Sequence, residues 1–454
     1  MTANDARTSL PTVVIGAGPI GLAAAAHLVE RGRDPLVLEA GPRAAAAVRA
    51  WGHVRLFSAW GELVDPAAAR LLEPTGWTHP ESRAYPTGGD WAELYLQPLA
   101  DALGDRVVYN TTVTGIARRG RDRIVDSGRD RQPFTMHTTD ANGIPGRLAA
   151  RAVVDASGTY ATPNPLGADG YPADGEAAHA GRISYRVPDV HNPDDHQRYA
   201  GRRTAVVGSG HSALTALLSL AEMSRRHPAT RVVWVLRREA TGSVFGGGSS
   251  DELPARGALG ARAQAAVASG LVEVAQGFRT EAVEGDGDRV ALVSADGRRI
   301  DGLDRIVGLT GYRPDHSLAS ELRLTLDGRL EAPARLAPLV DPNVHSCGTV
   351  YPHGAAELAH DEAGVFLVGM KSYGRAPTFL AMTGYEQVRS VAAALAGDHE
   401  SAAQVELTLP QTGVCGGAGL FDATESSTAP TGGCCSPAPA LVQIGVSAPA
   451  SPGC

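Results

Sequence analysis

The sequence predicts an α/β fold with two parallel-sheet domains, the second inserted into the first, and a flexible C-terminal tail. The domains are predicted by two glycine-rich turns, at residues 16–21 and 208–213, each after an apolar strand and before an apolar helix. The tail is predicted because hydrophobic periodicity stops near Ser401, and Gly, Ala, Ser, Thr and Pro dominate from there. We assign residues 8–165 and 335–400 to the first domain, 166–334 to the second and 401–454 to the tail.

The first glycine-rich turn, here called the first fingerprint, is Gly16-Ala17-Gly18-Pro19-Ile20-Gly21. In a G-x-G-x-x-G turn, two glycines permit a tight bend close to a pyrophosphate, and the third lets the helix pack close to the strand. The next apolar segment, 35–38, ends in Glu39. A carboxylate about 20 residues past the glycines can accept hydrogen bonds from ribose hydroxyls. We therefore predict a Rossmann-like domain that binds FAD.

The elements between this fingerprint and the second domain follow from turn and strand patterns. Residues 85–90 form a turn that is expected to cap a helix over 91–102. Residues 105–110 and 112–116 are predicted strands, and a polar hairpin stretch follows them over 118–147.

Later segments are expected to complete the FAD site. A buried strand over 152–155 ends in the loop Asp155-Ala156-Ser157-Gly158, which can pass beside a dinucleotide. A strand over 364–370 leads through loop 371–377 into a helix over 378–395, whose first amides can face the flavin pyrimidine. The residues expected at the FAD site are Gly16, Gly18, Pro19, Gly21, Glu39, Val113, Ser157, Gly158, Gly369 and Thr378.

The second fingerprint is Gly208-Ser209-Gly210-His211-Ser212-Ala213. The strand that follows, 231–236, ends in Arg237-Arg238 and carries no acid there to select a free ribose 2′-hydroxyl. Paired guanidinium groups can bind a 2′-phosphate bidentately, although a solvated strand end would also carry arginines. We predict NADPH at this site, bound by Gly208, Gly210, His211, Ser212, Ala213, Arg237 and Arg238.

Candidate contacts to the flavin or the substrate lie in the loop before the last helix. Lys371 is the single lysine among 41 lysine and arginine residues. Either this position requires lysine, or the absence of arginine here is due to chance. Tyr373 and Arg375 share its loop, and Arg375 also suits a structural cation. These three residues are the predicted catalytic candidates. A group of aromatic residues is expected either to line a flavin or substrate pocket or to form part of the hydrophobic core. Its members are Trp51, Phe57, Trp60, Trp77, Tyr85 and Trp91.

Composition limits the classes of partner. A chain of 454 residues suits two or three domains, and a net charge of −8 argues against nucleic acid or an anionic membrane surface as the main partner. No signal peptide or long apolar segment is recognisable in the sequence. We therefore expect a soluble, cytoplasmic protein that acts on a small molecule, with its oligomeric state left open.

These landmarks, in this order, resemble the flavin-containing monooxygenase-like group of two-dinucleotide flavoproteins over residues 8–400. The segment Leu309-Thr310-Gly311-Tyr312 looks like the second-linker motif of that group. The group's own motif, F-x-G-x-x-x-H-S-x-x-Y/F, is poorly kept, because Ile183-Ser184-Tyr185-Arg186 retains the serine without the histidine. The block from Cys347 to Phe379, followed by residues 383–387, looks like the monooxygenase-like flavoproteins of bacterial arsenic-resistance clusters, and so does the cysteine-bearing tail.

The resemblance implies a reaction with oxygen. NADPH would reduce FAD, the reduced flavin would form a hydroperoxide at C4a, and one oxygen atom would pass to a soft nucleophile. An NADPH-dependent reductase of a disulfide, quinone or metalloid acceptor remains an alternative, and so does a non-catalytic flavin-carrying protein that binds metalloid.

Four of the five cysteines lie in the tail, where Cys434 and Cys435 are adjacent. Such a pair can bind a soft metalloid or exchange disulfides, or it can be an exposed pair without chemical use. Cys347 suits a buried apolar thiol. Zinc is not expected, because the tail has no regular C-x-x-C pairs and no histidine. The absence of C-x-x-C from the whole sequence also argues against a thioredoxin-reductase mechanism.

Overall fold

A computed structural model describes residues 10–239, 242–246, 251, 253–344, 352–377 and 379–406. Its strands, in chain order, are β1 (Thr12–Ile15), β2 (Pro35–Leu38), β3 (Val107–Val108), β4 (Thr111–Arg118), β5 (Phe134–Asp140), β6 (Pro145–Ala150), β7 (Ala152–Asp155), β8 (Ile183–Ser184), β9 (Arg203–Val207), β10 (Arg231–Val235), β11 (Glu273–Ala275), β12 (Thr280–Asp286), β13 (Arg289–Ser294), β14 (Arg299–Leu303), β15 (Arg305–Gly308) and β16 (Val365–Leu367).

The α-helices, in chain order, are α1 (Pro19–Glu30), α2 (Ala46–Arg49), α3 (Trp60–Leu63), α4 (Pro66–Leu72), α5 (Gly88–Trp91), α6 (Gln97–Leu103), α7 (Pro193–Tyr199), α8 (His211–Arg226), α9 (Pro254–Ala268), α10 (Ala337–Val340), α11 (Ala381–Ala396) and α12 (His399–Ala403). A π-helical turn, Ala92–Leu96, joins α5 to α6. None of the described helices is long and apolar enough to cross a membrane.

The first domain is built on a parallel sheet with the strand order β16-β7-β1-β2-β3. Ile15 pairs in register with both Leu38 and Asp155, and Asp155 pairs with Leu367. Four strands therefore end level with one another at the carboxyl edge, where α/β sheets bind their ligands. Helix α1 is almost entirely buried because it packs against α4 and α11 as well as the sheet.

An antiparallel sheet, β4-β5-β6, covers the first sheet. Its inward side chains, among them Phe134 and Met136, pack with Val13 of β1 in one core cluster. The second domain repeats the parallel arrangement with the order β11-β10-β9-β15-β8, and it carries the antiparallel sheet β12-β13-β14. Val207 pairs in register with Val235 and with Gly308, so its strands also end level. The predicted α/β class with two Rossmann-like units is confirmed.

The chain returns to the first domain earlier than the predicted residue 335. Ala319 and Leu322 are buried in the same cluster as Val13 and Ile15. Residues from about 317 onward therefore pack with the first sheet, although the sequence assigned 317–334 to the second domain. The short 3-10 turn Ser317–Ala319 has no apolar periodicity from which this packing could be recognised.

Two predicted elements near the end of the chain are shorter than expected. The strand predicted over 364–370 is limited to β16, because Gly369 adopts a φ of +68° and begins the 3-10 turn Gly369–Tyr373. The helix predicted from Thr378 begins as α11 at Ala381. Thr378 itself lies outside the described residues. The candidate residues 371–373 thus lie in a tight turn instead of an open loop.

Candidate functional site

The first fingerprint lies at the carboxyl edge of the first sheet, and its three glycines have different structural roles. A Cβ atom on Gly16 would lie 2.9 Å from the carbonyl oxygen of Ala156, and one on Gly21 would lie 1.9 Å from that of Gly16. A Cβ atom on Gly18 would meet nothing within 4 Å. The first and third glycines are therefore required by protein packing, whereas Gly18 borders open space.

That open space fits a diphosphate group. Gly18 is the N-cap of α1, and no side chain caps the first amides of the helix. Pro19 occupies the first turn, where its missing N–H costs no hydrogen bond. Unpaired amides and the positive end of the helix dipole attract an anion at this position. The pyrophosphate of a dinucleotide is the ligand that this arrangement suits.

Glu39 follows β2 and ties the fingerprint to the neighbouring strand end. Its side chain accepts the backbone N–H of Ala17 at Oε2 and that of Gly41 at Oε1, each at 2.7 Å. Glu39 is only 8% exposed. A carboxylate has about four acceptor sites, so both oxygens can still accept ribose hydroxyls.

The other residues expected at the FAD site take varied positions. Gly158 has a φ of +72°, and a Cβ atom on it would meet nothing within 4 Å. Gly369, in contrast, is packed against Ile20, and its N–H donates to Oε1 of Gln387 at 2.8 Å. The side chain of Val113 lies in the core beside Ile15. Only the backbone of Val113 is therefore available to a ligand.

The second fingerprint has the same geometry. Gly208 has a φ of +133°, and a Cβ atom on it would lie 2.2 Å from the carbonyl oxygen of Leu309. Gly210 is the uncapped N-cap of α8, and a Cβ atom on it would meet nothing within 4 Å. Ala213 is buried as the close-packing third residue, and the indole N–H of Trp234 donates to the carbonyl of Gly208 at 2.7 Å. The N-terminus of α8, at the carboxyl edge of the second sheet, therefore also borders open space that suits a diphosphate.

His211 begins α8 and meets the first domain. Its ring lies edge-on to Phe57 with the centroids 5.2 Å apart. Burial and the nearby Arg256 lower the pKa of His211, so its imidazole is neutral at neutral pH. Ser212 beside it is exposed. Of the aromatic group, Phe57 reaches the second fingerprint, whereas Trp60 and Trp91 are buried in the core.

The two domains differ at the residue after the second strand. The registers Ile15–Leu38 and Val207–Val235 are equivalent, so Leu236 takes the position of Glu39. Leu236 is buried and offers no carboxylate. Arg237 and Arg238 come next, and in dinucleotide-binding folds an arginine near this point can accommodate a ribose 2′-phosphate.

The two arginines occupy different environments. Arg237 is exposed and donates to the carbonyl oxygen of Ala168 at 3.2 Å. Arg238 is partly buried, and burial together with Arg237 lowers its pKa. The backbone N–H of Gly277 donates to the carbonyl of Arg238 at 2.8 Å, which places the β11–β12 turn alongside. A pocket of about 600 Å³ lies there, lined by residues that include Glu239, Gln276, Gly277, Arg279, Asp296 and Arg298.

The predicted catalytic candidates already have structural partners. Lys371 is buried and forms an ion pair with Asp155, with Nζ 2.7 Å from Oδ2. Burial raises the pKa of Tyr373, which packs edge-on against Phe379. Arg375 donates from Nε to Glu331 at 2.8 Å on the surface. Protein contacts therefore account for all three side chains, and a direct role in catalysis stays a prediction.

Asp155 and Gln387 are polar residues at this edge that the sequence did not single out as site residues. Burial alone would raise the pKa of Asp155, but the charge and hydrogen bond of Lys371 outweigh it and lower that pKa. Gln387 is fully buried and donates to Ser372 Oγ at 2.9 Å. An acid ending an apolar strand was the available signal for Asp155. Gln387 lies in the segment 383–387 that contributes to the family resemblance, but no motif assigned it a role there. All five cysteines, including Cys434 and Cys435, lie outside the described residues.

Comparison with known protein families identifies the family to which the chain belongs. The model of the pyridine nucleotide-disulphide oxidoreductase family matches residues 13–346, a span that contains both fingerprints. The chain belongs to this family. Its cofactors are accordingly FAD and a nicotinamide dinucleotide. Two dinucleotides agree with the two glycine turns that border open space, here called the first cradle (residues 16–21) and the second cradle (residues 208–213). No curated protein sequence matches the chain.

Solved structures share the fold at low identity. The bacillithiol disulfide reductase of Bacillus cereus is 20% identical with a TM-score of 0.62, over 86% of this chain and 99% of that one. The ornithine hydroxylase of Pseudomonas aeruginosa is 16% identical with a TM-score of 0.58, over 86% and 99%. A mutant flavin monooxygenase of Stenotrophomonas maltophilia is 20% identical with a TM-score of 0.53, over 86% and 98%. The shared architecture thus includes both reductases and monooxygenases.

Proposed function

We propose that this oxidoreductase is an NADPH-dependent monooxygenase that transfers one oxygen atom to a soft nucleophile, such as a trivalent arsenical. The two cradles differ, and this difference is the observation that supports the proposed direction of electron flow. Glu39 suits the free ribose of FAD, whereas Leu236 followed by Arg237 and Arg238 suits the 2′-phosphate of NADPH. Electrons would enter at the second fingerprint and reach the first.

The sequence disfavours one alternative electron acceptor, a redox-active dithiol of the C-x-x-C kind. No C-x-x-C motif occurs in the chain, so no dithiol of that kind can relay electrons from the flavin. When bound, FAD supplies the hydride acceptor and the reaction with oxygen. The protein's own part is to hold both dinucleotides through its helix N-termini and to keep the fingerprints in shape.

Isotope transfer tests this proposal. The protein would be incubated with NADPH, ¹⁸O₂ and phenylarsenite, with a thioether as a second soft substrate. We expect one ¹⁸O atom per product molecule and one NADPH consumed for each. NADPH oxidation that yields hydrogen peroxide but no labelled product from either substrate would contradict the assignment to soft nucleophiles.

Reduction without oxygen is the second candidate, because a bacillithiol disulfide reductase shares the fold with a TM-score of 0.62. In this case, NADPH oxidation would proceed anaerobically with a low-molecular-weight disulfide or a quinone. A monooxygenase would not turn over with these acceptors in the absence of oxygen. Parallel aerobic and anaerobic assays therefore separate the two functions.

Replacing Arg238 with alanine is expected to change the choice of nicotinamide dinucleotide. A charge-assisted hydrogen bond contributes about 1.5–3 kcal/mol, so the KM for NADPH should rise roughly 10- to 100-fold while that for NADH stays the same. Arg231, at the opposite end of β10, supplies the matched control R231A. Equal changes in KM for both nucleotides would show that Arg238 does not read the 2′-phosphate.

Substitutions of the two glycines of the second fingerprint should have opposite consequences. In G210A, the new methyl group enters the open diphosphate space, so we expect the KM for NADPH to rise about tenfold or more at unchanged thermal stability. In G208A, the new methyl group meets the carbonyl of Leu309, and alanine must also adopt the positive φ of residue 208. The fold itself should therefore be destabilised. Thermal melting and steady-state kinetics of both variants test this separation.

A further inference from the structure

The single lysine of the chain closes a small polar cycle inside the first domain. The Lys371 side chain is 1% exposed, and Nζ lies 2.7 Å from Asp155 Oδ2 and 3.0 Å from Ser157 Oγ. Ser157 donates from its hydroxyl at 2.6 Å and from its backbone N–H at 3.1 Å to Asp155 Oδ1. The turn after β16 is thereby fixed to the loop after β7, two segments more than 200 residues apart.

This loop is in direct contact with the first fingerprint. The N–H of Ala156 donates to the carbonyl of Ile15 at 3.0 Å, and a Cβ atom on Gly16 would lie 2.9 Å from the carbonyl oxygen of Ala156. Gly158, at the end of the loop, borders open space as Gly18 does. A displacement of residues 156–158 would therefore disturb the backbone that forms the first cradle.

We propose that Lys371 is a positioning residue for FAD. Lys371 holds the loop 156–158 in the shape that the cofactor requires. The proposal rests on FAD binding at the first fingerprint and is independent of the electron acceptor.

Lysine suits this place better than arginine. An ammonium group is compact and carries three donors on one atom, so it can reach Asp155 and Ser157 from one position. A guanidinium group carries five donors on a planar fork, and burial would leave some of them without acceptors. The geometry thus favours lysine over arginine at this position, in a chain whose other 40 lysine or arginine residues are all arginine.

The first test compares FAD affinity with fold stability. In K371M, the side-chain volume is kept while the ammonium is lost, and we expect the Kd for FAD to rise at least tenfold. D155N disturbs the same cycle from the other side and should weaken FAD binding similarly, and K371R should not restore it. The matched control is R118M, which removes an equally buried cation whose partner, Glu362, lies away from the fingerprint.

R118M is expected to lower the melting temperature and to leave the Kd for FAD unchanged. If K371M behaves as R118M does, with a lower melting temperature and an FAD Kd within twofold of wild type, Lys371 is a structural ion-pair residue only and the proposal is overturned. A Kd restored to the wild-type value in K371R would overturn the argument for lysine.

The second test uses the wild-type protein and needs no variant to fold. Coupling between two sites is reciprocal, so FAD should stabilise the closed cycle as much as the cycle favours FAD. Among the amino groups of the untagged chain, acetic anhydride can modify only Lys371 and the α-amino group, and the α-amino group serves as the internal reference. We expect saturating FAD to slow acetylation of Lys371 at least tenfold relative to the apoprotein. Equal rates with and without FAD would show that the cycle and the cofactor are not coupled.

Discussion

Protein in which Glu39 is replaced by alanine is expected to purify without FAD. The substitution removes the acceptor of the Ala17 and Gly41 amides and the acceptor predicted for the ribose hydroxyls. Hydrogen bonds to a charged group contribute about 1.5–3 kcal/mol each, so the loss of the ribose contacts alone should raise the Kd for FAD 100-fold or more. The flavin absorbance per mole of purified protein and titration of the apoprotein with FAD measure this effect.

A surface carboxylate of the same domain supplies the control for this experiment. Glu30 is partly exposed, pairs with Arg70 and lies at the opposite end of α1 from the glycine turn. E30A should therefore retain FAD as the wild type does. If E39A also retained stoichiometric FAD, the first fingerprint would not be the FAD site, and the assignment of the two cradles would need to be reversed.

The sequence was sufficient for those parts of the site that are local in the chain. Each fingerprint combines a strand, a turn and a helix within about 20 residues, so spacing alone identifies it. Gly16 and Gly208 were predicted to permit a tight bend, and both have a positive φ; the backbone carbonyl that each one faces was not part of that prediction. The register of the sheets then shows why Glu39 has no counterpart after β10, where Leu236 is buried in its place.

Contacts between distant segments could not be predicted in the same way. Lys371 meets Asp155 across 216 residues, and no periodicity or motif links the two. The early return of the chain at Ala319 is hidden for the same reason, because its packing partners Val13 and Ile15 lie some 300 residues upstream. Spacing identifies what a segment can bind locally, whereas the partners of an isolated buried charge depend on the fold.

Another such long-range contact joins the antiparallel sheet β4-β5-β6 to the segment before β16. Glu362 accepts from Nε of Arg118 at 2.6 Å and from Nη2 of Arg129 at 2.7 Å, and all three side chains are at most 2% exposed. The guanidinium of Arg118 also lies 3.7 Å above the ring of Phe134. Removing one member of a buried charge cluster leaves the others uncompensated, which costs more than the intact cluster contributes.

E362Q is therefore expected to lower the free energy of unfolding by about 3–5 kcal/mol at pH 7, as measured by urea denaturation. Burial alone would raise the pKa of Glu362, but hydrogen bonds from Arg129 and Arg118 outweigh it and lower that pKa below its usual value. The stabilisation is thus complete above the unfolded-state pKa and is lost as pH falls through the lower folded-state value, so wild type and E362Q should converge in acid. E222A, which breaks the exposed pair with Arg226, should cost about 1 kcal/mol or less. Equal losses in E362Q and E222A would show that the buried triad contributes no more than a surface pair.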